Sequence, residues 1–351
     1  MLRENIVTGE WVIIAPSRSK RPNEQKAKKG DEKSGTEAPK KPGRPCPFCP
    51  GNEERDLETG SWPSADTSEW VVRSVRNMFP ALPPFPSTSP SSSSSAQPEP
   101  DLQEGPGGSR TYIPAYGVHE VVVTSRNHNS CTALEPVEQV AAALRLSRDR
   151  ARAIAAAHPE VTCVSVFENH GPLGGASLLH PHSQIIAPAY AVPKRLADWT
   201  SRARCLGHCA LCRLIEGELA GDRPRVVAMN DRFVAWVPFA AESPYNMWVA
   251  PRAHSASFMA TPDEDIPLLA EVFRGALRAL YFGVGDPDYN IAFVDPPLSE
   301  AKSEVMHWYI TIGPHVTFPA GFELGTGMPI NPSLPEDSAA FLASTLKGLS
   351  D

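Results

Sequence analysis

At 351 residues the chain is longer than one typical domain, and its length suits two domains or one large duplicated one. Its 41% hydrophobic content supports a sizeable core, while 33 basic against 40 acidic residues leave a net charge of −7. A field of that sign repels phosphodiester backbones and argues against nucleic acid as a partner.

The N-terminus, Met1-Leu2-Arg3-Glu4-Asn5, lacks the apolar core of a signal peptide. No stretch approaches the roughly 18 apolar residues of a membrane span, so a soluble, cytoplasmic protein is expected. Two low-complexity runs, the basic segment near 20–41 and the Ser/Pro-rich segment near 83–108, are expected as unstructured solvated loops. Such compositions bury too little apolar area to offset their ordering entropy. Strands are predicted at 121–124, 162–169, 183–188, 226–230, 233–238, 246–251, 290–295 and 307–312. A helix over 136–157 sets Val137, Val140, Ala141, Leu144, Ala151, Ile154 and Ala155 on one stripe and closes before His158-Pro159. A second helix is expected to open at Thr261-Pro262-Asp263-Glu264, read as a capping box with Pro at the first helical position. It would then turn Ile266, Leu269, Phe273, Leu277 and Leu280 inward.

These pieces repeat. In each half a strand runs into a histidine, a helix and a second strand follow, and a further histidine leads a third strand. The separation is 52 residues from His128 to His180 and 53 from His254 to His307. Each half is also preceded by a C-x-x-C, Cys46-Pro47-Phe48-Cys49 and Cys209-Ala210-Leu211-Cys212. The pattern predicts an α+β architecture of two similar units, mainly antiparallel sheet with flanking helices. Seven cysteines in a chain with no secretion signal favour thiolate ligands over disulfides. Cys46, Cys49, His128 and His180 form one candidate zinc set, and Cys209, Cys212, His254 and His307 a second; Cys205 and His208 lie close enough to compete for the latter. Four protein ligands leave no vacancy, so structural Zn2+ at one or two sites is expected.

The halves differ in one respect. Side chains alternate along a strand, so His180, His182 and Gln184 should point the same way. One histidine can then bind metal while its neighbour faces a substrate. The second half carries Tyr309 where the first has His182, and a tyrosine cannot replace a neutral imidazole as nucleophile near neutral pH. His182 is therefore the candidate nucleophile for a nucleotide phosphorus, with Gln184 as a neutral donor to a phosphoryl oxygen. The run Gly171-Pro172-Leu173-Gly174-Gly175-Ala176-Ser177 is expected to bring backbone amides close to phosphate.

Phe167-Glu168-Asn169-His170-Gly171, Gly175-Ala176-Ser177 and His180-Pro181-His182-Ser183-Gln184 resemble the active-site segment of galactose-1-phosphate uridylyltransferases, a branch of the histidine-triad superfamily. The opening 8–22 and the segment Arg76-Asn77-Met78-Phe79-Pro80-Ala81-Leu82 are similar to further signatures of that family. The resemblance implies a ping-pong transferase of galactose metabolism, made of a catalytic unit over 1–192 and a histidine-triad-like unit over 193–351. It implies His182 as nucleophile and Gln184 as its phosphate partner. Asn169 and Ser177 would lie on the phosphates, Arg18 and Arg21 near the substrate, and Asn77 and Phe79 along the base and ribose pocket. It also implies a homodimer. The segment 321–332 and the second Cys2His2 set are closest to the plant branch, which acts as an ADP-glucose phosphorylase. That branch usually has Ser between the two histidines, where this chain has Pro181 as the uridylyltransferases do. Uridylyl exchange between UDP-glucose and a hexose 1-phosphate is the leading expectation. Adenylyl transfer from ADP-glucose to phosphate is the alternative. A non-catalytic zinc-stabilised nucleotide-binding module would have no need of a nucleophile, and a zinc finger would not space its Cys pairs so far from its histidines.

Overall fold

The computed structural model describes residues 1–16, 46–63, 69–85, 103–104, 111–112, 115–189, 192–222 and 224–349. In the first half lie β1 (Leu2–Glu4), β2 (Trp11–Ile14), β3 (Glu58–Trp62), β4 (Val72–Arg76), β5 (Gln103–Glu104), β6 (Thr111–Tyr112) and β7 (Gly117–Val123). There follow α1 (Val137–Ala157), β8 (Ser165–His170) and β9 (His182–Pro188). The second half adds α2 (Lys194–Leu206), α3 (Ala210–Leu219), β10 (Val226–Met229), β11 (Phe233–Trp236), β12 (Met247–Pro251) and α4 (Ile266–Val284). It ends with β13 (Tyr289–Val294), β14 (Tyr309–Pro314), α5 (Gly321–Thr326), β15 (Ile330–Asn331) and α6 (Pro335–Gly348).

Ten strands form one sheet in the order β10-β11-β12-β14-β13-β8-β9-β7-β4-β3, and every neighbouring pair is antiparallel. Five strands come from each half, and the halves meet where β8 pairs with β13, Asn169 opposite Asn290. The two units thus share one sheet about a pseudo-twofold at this seam. All the predicted strands are present.

Alternation gives the sheet two distinct faces. One presents Val72, Val122, Ile185, Val166, Ile291, Ile310, Val249 and Phe233 to α1 and α4, whose predicted stripes supply Leu144, Ile154, Leu269, Phe273 and Leu277 to the same core. Each such aliphatic or aromatic side chain contributes about 1.5–3 kcal/mol when fully buried. In the second half the other face is also covered: Trp236, Trp248 and Tyr309 pack under Trp199 and Ala203 of α2, Leu211 and Ile215 of α3, and Val7. The N-terminal β1–β2 ribbon also leans on the second half, since β2 pairs in parallel with β15.

The second long helix begins later than the sequence indicates. Residues 263–265 form a turn and α4 starts at Ile266 with Pro267 in its first turn. The Thr261 carbonyl, which would accept the first bond of a helix starting there, accepts instead from Arg148 and Arg152 of α1 at 2.8 and 3.1 Å, and Asp263 pairs with Arg145 and Arg148. The expected loop at 83–108 also starts too early: Pro83 O accepts the Gly117 N–H, and Phe85 stacks on His158 with ring centroids 4.6 Å apart. Within it, Gln103–Glu104 pairs with Thr111–Tyr112. The segment 20–41 and most of 86–108 lie outside the described residues.

Asp295, just past β13, is buried and accepts the Phe258 N–H at 2.8 Å, and burial pushes its carboxyl up to about 7. A folded-state value above the unfolded one means that the folded chain holds the extra proton. The stabilisation this supplies is full below about pH 4 and is lost as pH rises through 7. Asp295→Asn should therefore show a smaller fall in thermal midpoint between about pH 5 and about pH 8 than the parent protein. Calorimetry of the two reads it, and an unchanged difference would mean that another group carries the proton.

Candidate active site and metal centres

β9 follows a glycine-rich turn, and its first residue, His182, is 7% exposed. Its Nδ1 lies 2.8 Å from the carbonyl oxygen of His180. A carbonyl only accepts, so Nδ1 carries the proton and Nε2 keeps its lone pair. Burial holds the ring below its ordinary pKa and favours the neutral form.

His180 itself stands outside the strand. Its Nε2–H donates to Ser125 O at 2.8 Å, which turns Nδ1 toward Cys46 Sγ at 3.8 Å, Cys49 Sγ at 3.7 Å and His128 Nδ1 at 3.4 Å. Cys49 Sγ is 3.3 Å from His128 Nδ1. The four atoms converge as a group that could hold a metal ion. Burial and the neighbouring Cys46 push the Cys49 thiol upward, so a cation between them is what would let both sulfurs ionise. The second group repeats the arrangement, with His307 Nδ1 3.7 Å from Cys209 Sγ and 3.3 Å from Cys212 Sγ, and His254 Nδ1 3.4 Å from Cys212 Sγ. Cys205 sits exposed on α2 and is not part of it, nor is His208.

On the sheet face that the second half covers, the first half has a cavity of about 320 Å3. Its walls include His182 and Gln184 from β9, His119 and Val121 from β7, Arg73, Val75 and Arg76 from β4, Asn77 and Phe79 beyond it, and Ser177. Phe48, inside the first C-x-x-C, also lines it and lies 5.3 Å from the His182 ring. Phe79, at 86% exposure, forms the rim. Asn169 shares the face but not the wall; its Oδ1 accepts from Asn290 Nδ2 at 2.8 Å. Arg18 and Arg21 lie outside the described residues.

In the glycine turn three amides already have partners. The amides of Leu173, Gly175 and Ala176 are bonded to Asp288 Oδ2, Pro172 O and Gly171 O, all within or beside the turn. Gly171, with φ of +73°, has Asp288 Oδ1 where a Cβ would stand, at 2.1 Å, and a Cβ on Gly174 would meet His170 O at 2.3 Å. These glycines allow the turn to pack on the β8–β13 seam. His119, Arg73 and Phe48 were not among the sequence candidates. Extending the strand parity from Val121 by two residues would have reached His119.

At the positions of His182 and its cavity, the second half has Tyr309 stacked on Trp248 at 4.2 Å and edge-on to Trp199 at 6.1 Å. Aromatic rings occupy the volume that stays open in the first half.

A chain built this way is an enzyme of the nucleotidyltransferase class, assembled from two similar α+β units. It belongs to the galactose-1-phosphate uridylyltransferase family: residues 1–191 match the model of that family's N-terminal domain. It is 32% identical over 345 residues to an ADP-glucose phosphorylase of Arabidopsis thaliana, covering 96% of this chain and 91% of the relative. It is 29% identical over 364 residues to a galactose-1-phosphate uridylyltransferase of Thermotoga maritima, covering 98% of each. The crystal structure of an Arabidopsis thaliana ADP-glucose phosphorylase with bound ADP-glucose superposes with a TM-score of 0.78 at 28% identity, covering 100% of this chain and 99% of that one. Among the described residues no helix is long and apolar enough to cross a membrane.

The two Cys/His groups differ in support. In the first, His180 hands its outer N–H to Ser125 O. In the second, the anchored histidine is the exposed His254, whose Nε2 donates to Ser303 O at 3.1 Å, while the buried His307 Nε2 has no partner. Outer hydrogen bonds of this kind are worth about 10–100-fold in metal affinity. Titrating the metal-loaded protein with a chelator should release metal in two steps, the first abolished beforehand by Cys212→Ser and the second by Cys49→Ser. Release in one step, or in the opposite order, would contradict the ranking.

Proposed function

We propose that the chain transfers a nucleotidyl group from UDP-glucose to a hexose 1-phosphate such as galactose 1-phosphate, by ping-pong exchange through a covalent nucleotidyl-histidine at His182. The observation that carries the reading is the Nδ1 hydrogen bond to the His180 carbonyl, which leaves the Nε2 lone pair on the wall of the cavity. In the first step Nε2 attacks the α-phosphorus; an N–P bond forms, the P–O bond to the sugar phosphate breaks, and hexose 1-phosphate leaves with the electron pair. In the second an acceptor phosphate oxygen attacks the same phosphorus and the imidazole leaves neutral. Gln184 donates to a phosphoryl oxygen. Arg73 and Arg76 add positive charge to the cavity, and Arg73, 2% exposed, has Nε and Nη1 without partners to offer to an acceptor on the ligand. Asn77 and Phe79 bound the base and ribose, Ser177 and Asn169 serve the phosphates, and Arg18 and Arg21 complete the substrate contacts.

Zinc is the metal that suits both Cys2His2 groups. With Zn–S near about 2.3 Å and Zn–N near about 2.0–2.1 Å, a tetrahedral site sets its donors roughly 3.3–3.8 Å apart. The S···N and N···N separations here fall in that interval, from 3.3 to 3.8 Å. Four protein ligands give the ion a structural task, and the thiolates suit a reducing cytoplasm. The same reading divides the chain at 192/193 into a catalytic unit and a scaffold unit and makes it a homodimer.

Adenylyl transfer from ADP-glucose to inorganic phosphate is the second reading. It is favoured by the 32% identity to the Arabidopsis thaliana phosphorylase.

Incubation with UDP-glucose or ADP-glucose, without acceptor, should leave a nucleotidyl adduct on the peptide carrying His182, and its mass identifies the base. His182→Gly should form no adduct and transfer nothing while keeping its metal content and thermal midpoint. Transfer by that variant would refute covalent catalysis at this residue.

A further inference from the structure

His119 has no part in the reaction as described, yet its ring is held at both nitrogens. Nδ1 accepts the Ala81 backbone N–H at 3.0 Å, and a backbone amide can only donate. The ring's single proton therefore sits on Nε2. That atom has two neighbours, Gln184 Oε1 at 2.9 Å and Asn77 Nδ2 at 3.0 Å, and only the first is an acceptor. Asn77 cannot be turned over to compete, because its Oδ1 accepts the Phe79 N–H at 2.8 Å. Gln184 is thus fixed with its oxygen against His119 and its NH2 group away from it.

We propose that His119 is a positioning residue: it sets the Gln184 carboxamide so that NH2, and not the carbonyl oxygen, meets the phosphoryl group attacked by His182. The proposal rests on the reading of Gln184 as a phosphoryl donor. A reversed carboxamide would set an oxygen lone pair against the oxygens of the phosphoryl group, so the orientation decides whether the contact attracts or repels. The chain of bonds runs from the backbone at Ala81 through one ring to one amide and involves no charged group. It keeps its sense whether or not a ligand is bound.

The second half carries the contrast. Counting along the paired strands from Tyr309, the counterparts of His119 and Gln184 are Asn246 and Thr311. Asn246 Nδ2 donates to Thr311 Oγ1 at 3.5 Å and to Ile312 O at 3.2 Å. The cross-strand link persists as a structural bond, but no carboxamide remains to be oriented. The ring-to-amide device is found only in the half with an open cavity and a histidine nucleophile.

A double-variant cycle tests it, read by rapid-quench measurement of nucleotidyl-enzyme formation from the sugar nucleotide that labels the parent protein. His119→Ala and Gln184→Ala should each slow the labelling step about tenfold or more, with much smaller change in the nucleotide-sugar concentration at half-saturation. The double variant should be no slower than Gln184→Ala, because His119 acts only through Gln184. His119→Gln, whose side-chain amide can donate to the same Gln184 oxygen, should recover most of the lost rate. Losses that multiply in the double variant, or a His119→Ala protein that labels at the parent rate while Gln184→Ala does not, would overturn the positioning role and leave Gln184 standing. A Gln184→Ala protein with the parent rate would overturn the phosphoryl-donor reading and this proposal with it. Metal content and thermal midpoint of each variant separate these outcomes from misfolding.

Discussion

The histidine at position 180 ties the two halves of the chemistry together through a single residue. Its ring reaches the first Cys/His group, with the outer nitrogen anchored on Ser125, and its carbonyl takes the proton-bearing nitrogen of His182. Both attachments pass through one residue. A ring pinned to a metal group fixes the backbone of residue 180, and a fixed carbonyl dictates which nitrogen of His182 is protonated. A Cys/His group that could hold a metal ion is in this way linked to the tautomer of a histidine that it never touches. Phe48 reinforces the link, because the same C-x-x-C turn that supplies two sulfurs sets an aromatic ring beside both histidines.

Duplication provides the frame and a difference in covering provides the site. Corresponding strands of the halves pair in the same register, yet among the described residues only the first half leaves its outer face open. In the second, α2 and α3 bring Trp199, Leu211 and Ile215 down on Trp236, Trp248 and Tyr309. Burial of so many large rings gains stability where a cavity would forgo it. The second half keeps the Cys/His group that organises its strand entry, although no nucleophile depends on it.

Much of this was legible because it rests on period and spacing. The two Cys2His2 sets follow from matched intervals between histidines, and the long helices α1 and α4 from wide apolar stripes. The different tasks of His180 and His182 follow from their separation by two residues. What escaped depends on contacts distant in sequence. Helices α2, α3 and α6 bury narrow stripes, such as Trp199, Thr200 and Ala203 in α2, and charged or small residues blur their periodicity. Helix α4 starts late because arginines of α1 engage the Thr261 carbonyl and Asp263. The glycines at 171–175 suggest a phosphate cradle from composition alone, and a glycine's need for space says nothing about what crowds it; here that is Asp288 and the backbone of His170. His119 escaped because its value lies in the tautomer that Ala81 selects, and no spacing encodes a tautomer.

The residues proposed to carry the transfer and those proposed to bound the base stand on different kinds of structure. His182, Gln184 and His119 project from paired strands in the middle of a ten-stranded sheet, where the backbone on either side is hydrogen-bonded and the geometry is stiff. Asn77 and Phe79 follow the end of β4, and Phe79 stands almost wholly in solvent before a ligand arrives. Attack on an α-phosphorus is the same event for a uridylyl or an adenylyl donor, so the strand residues impose no choice of base. On the proposed reading choice falls to the rim, where a loop can change its side chains without disturbing the sheet. A motif read from that strand therefore bears on the proposed reaction before it bears on the nucleotide.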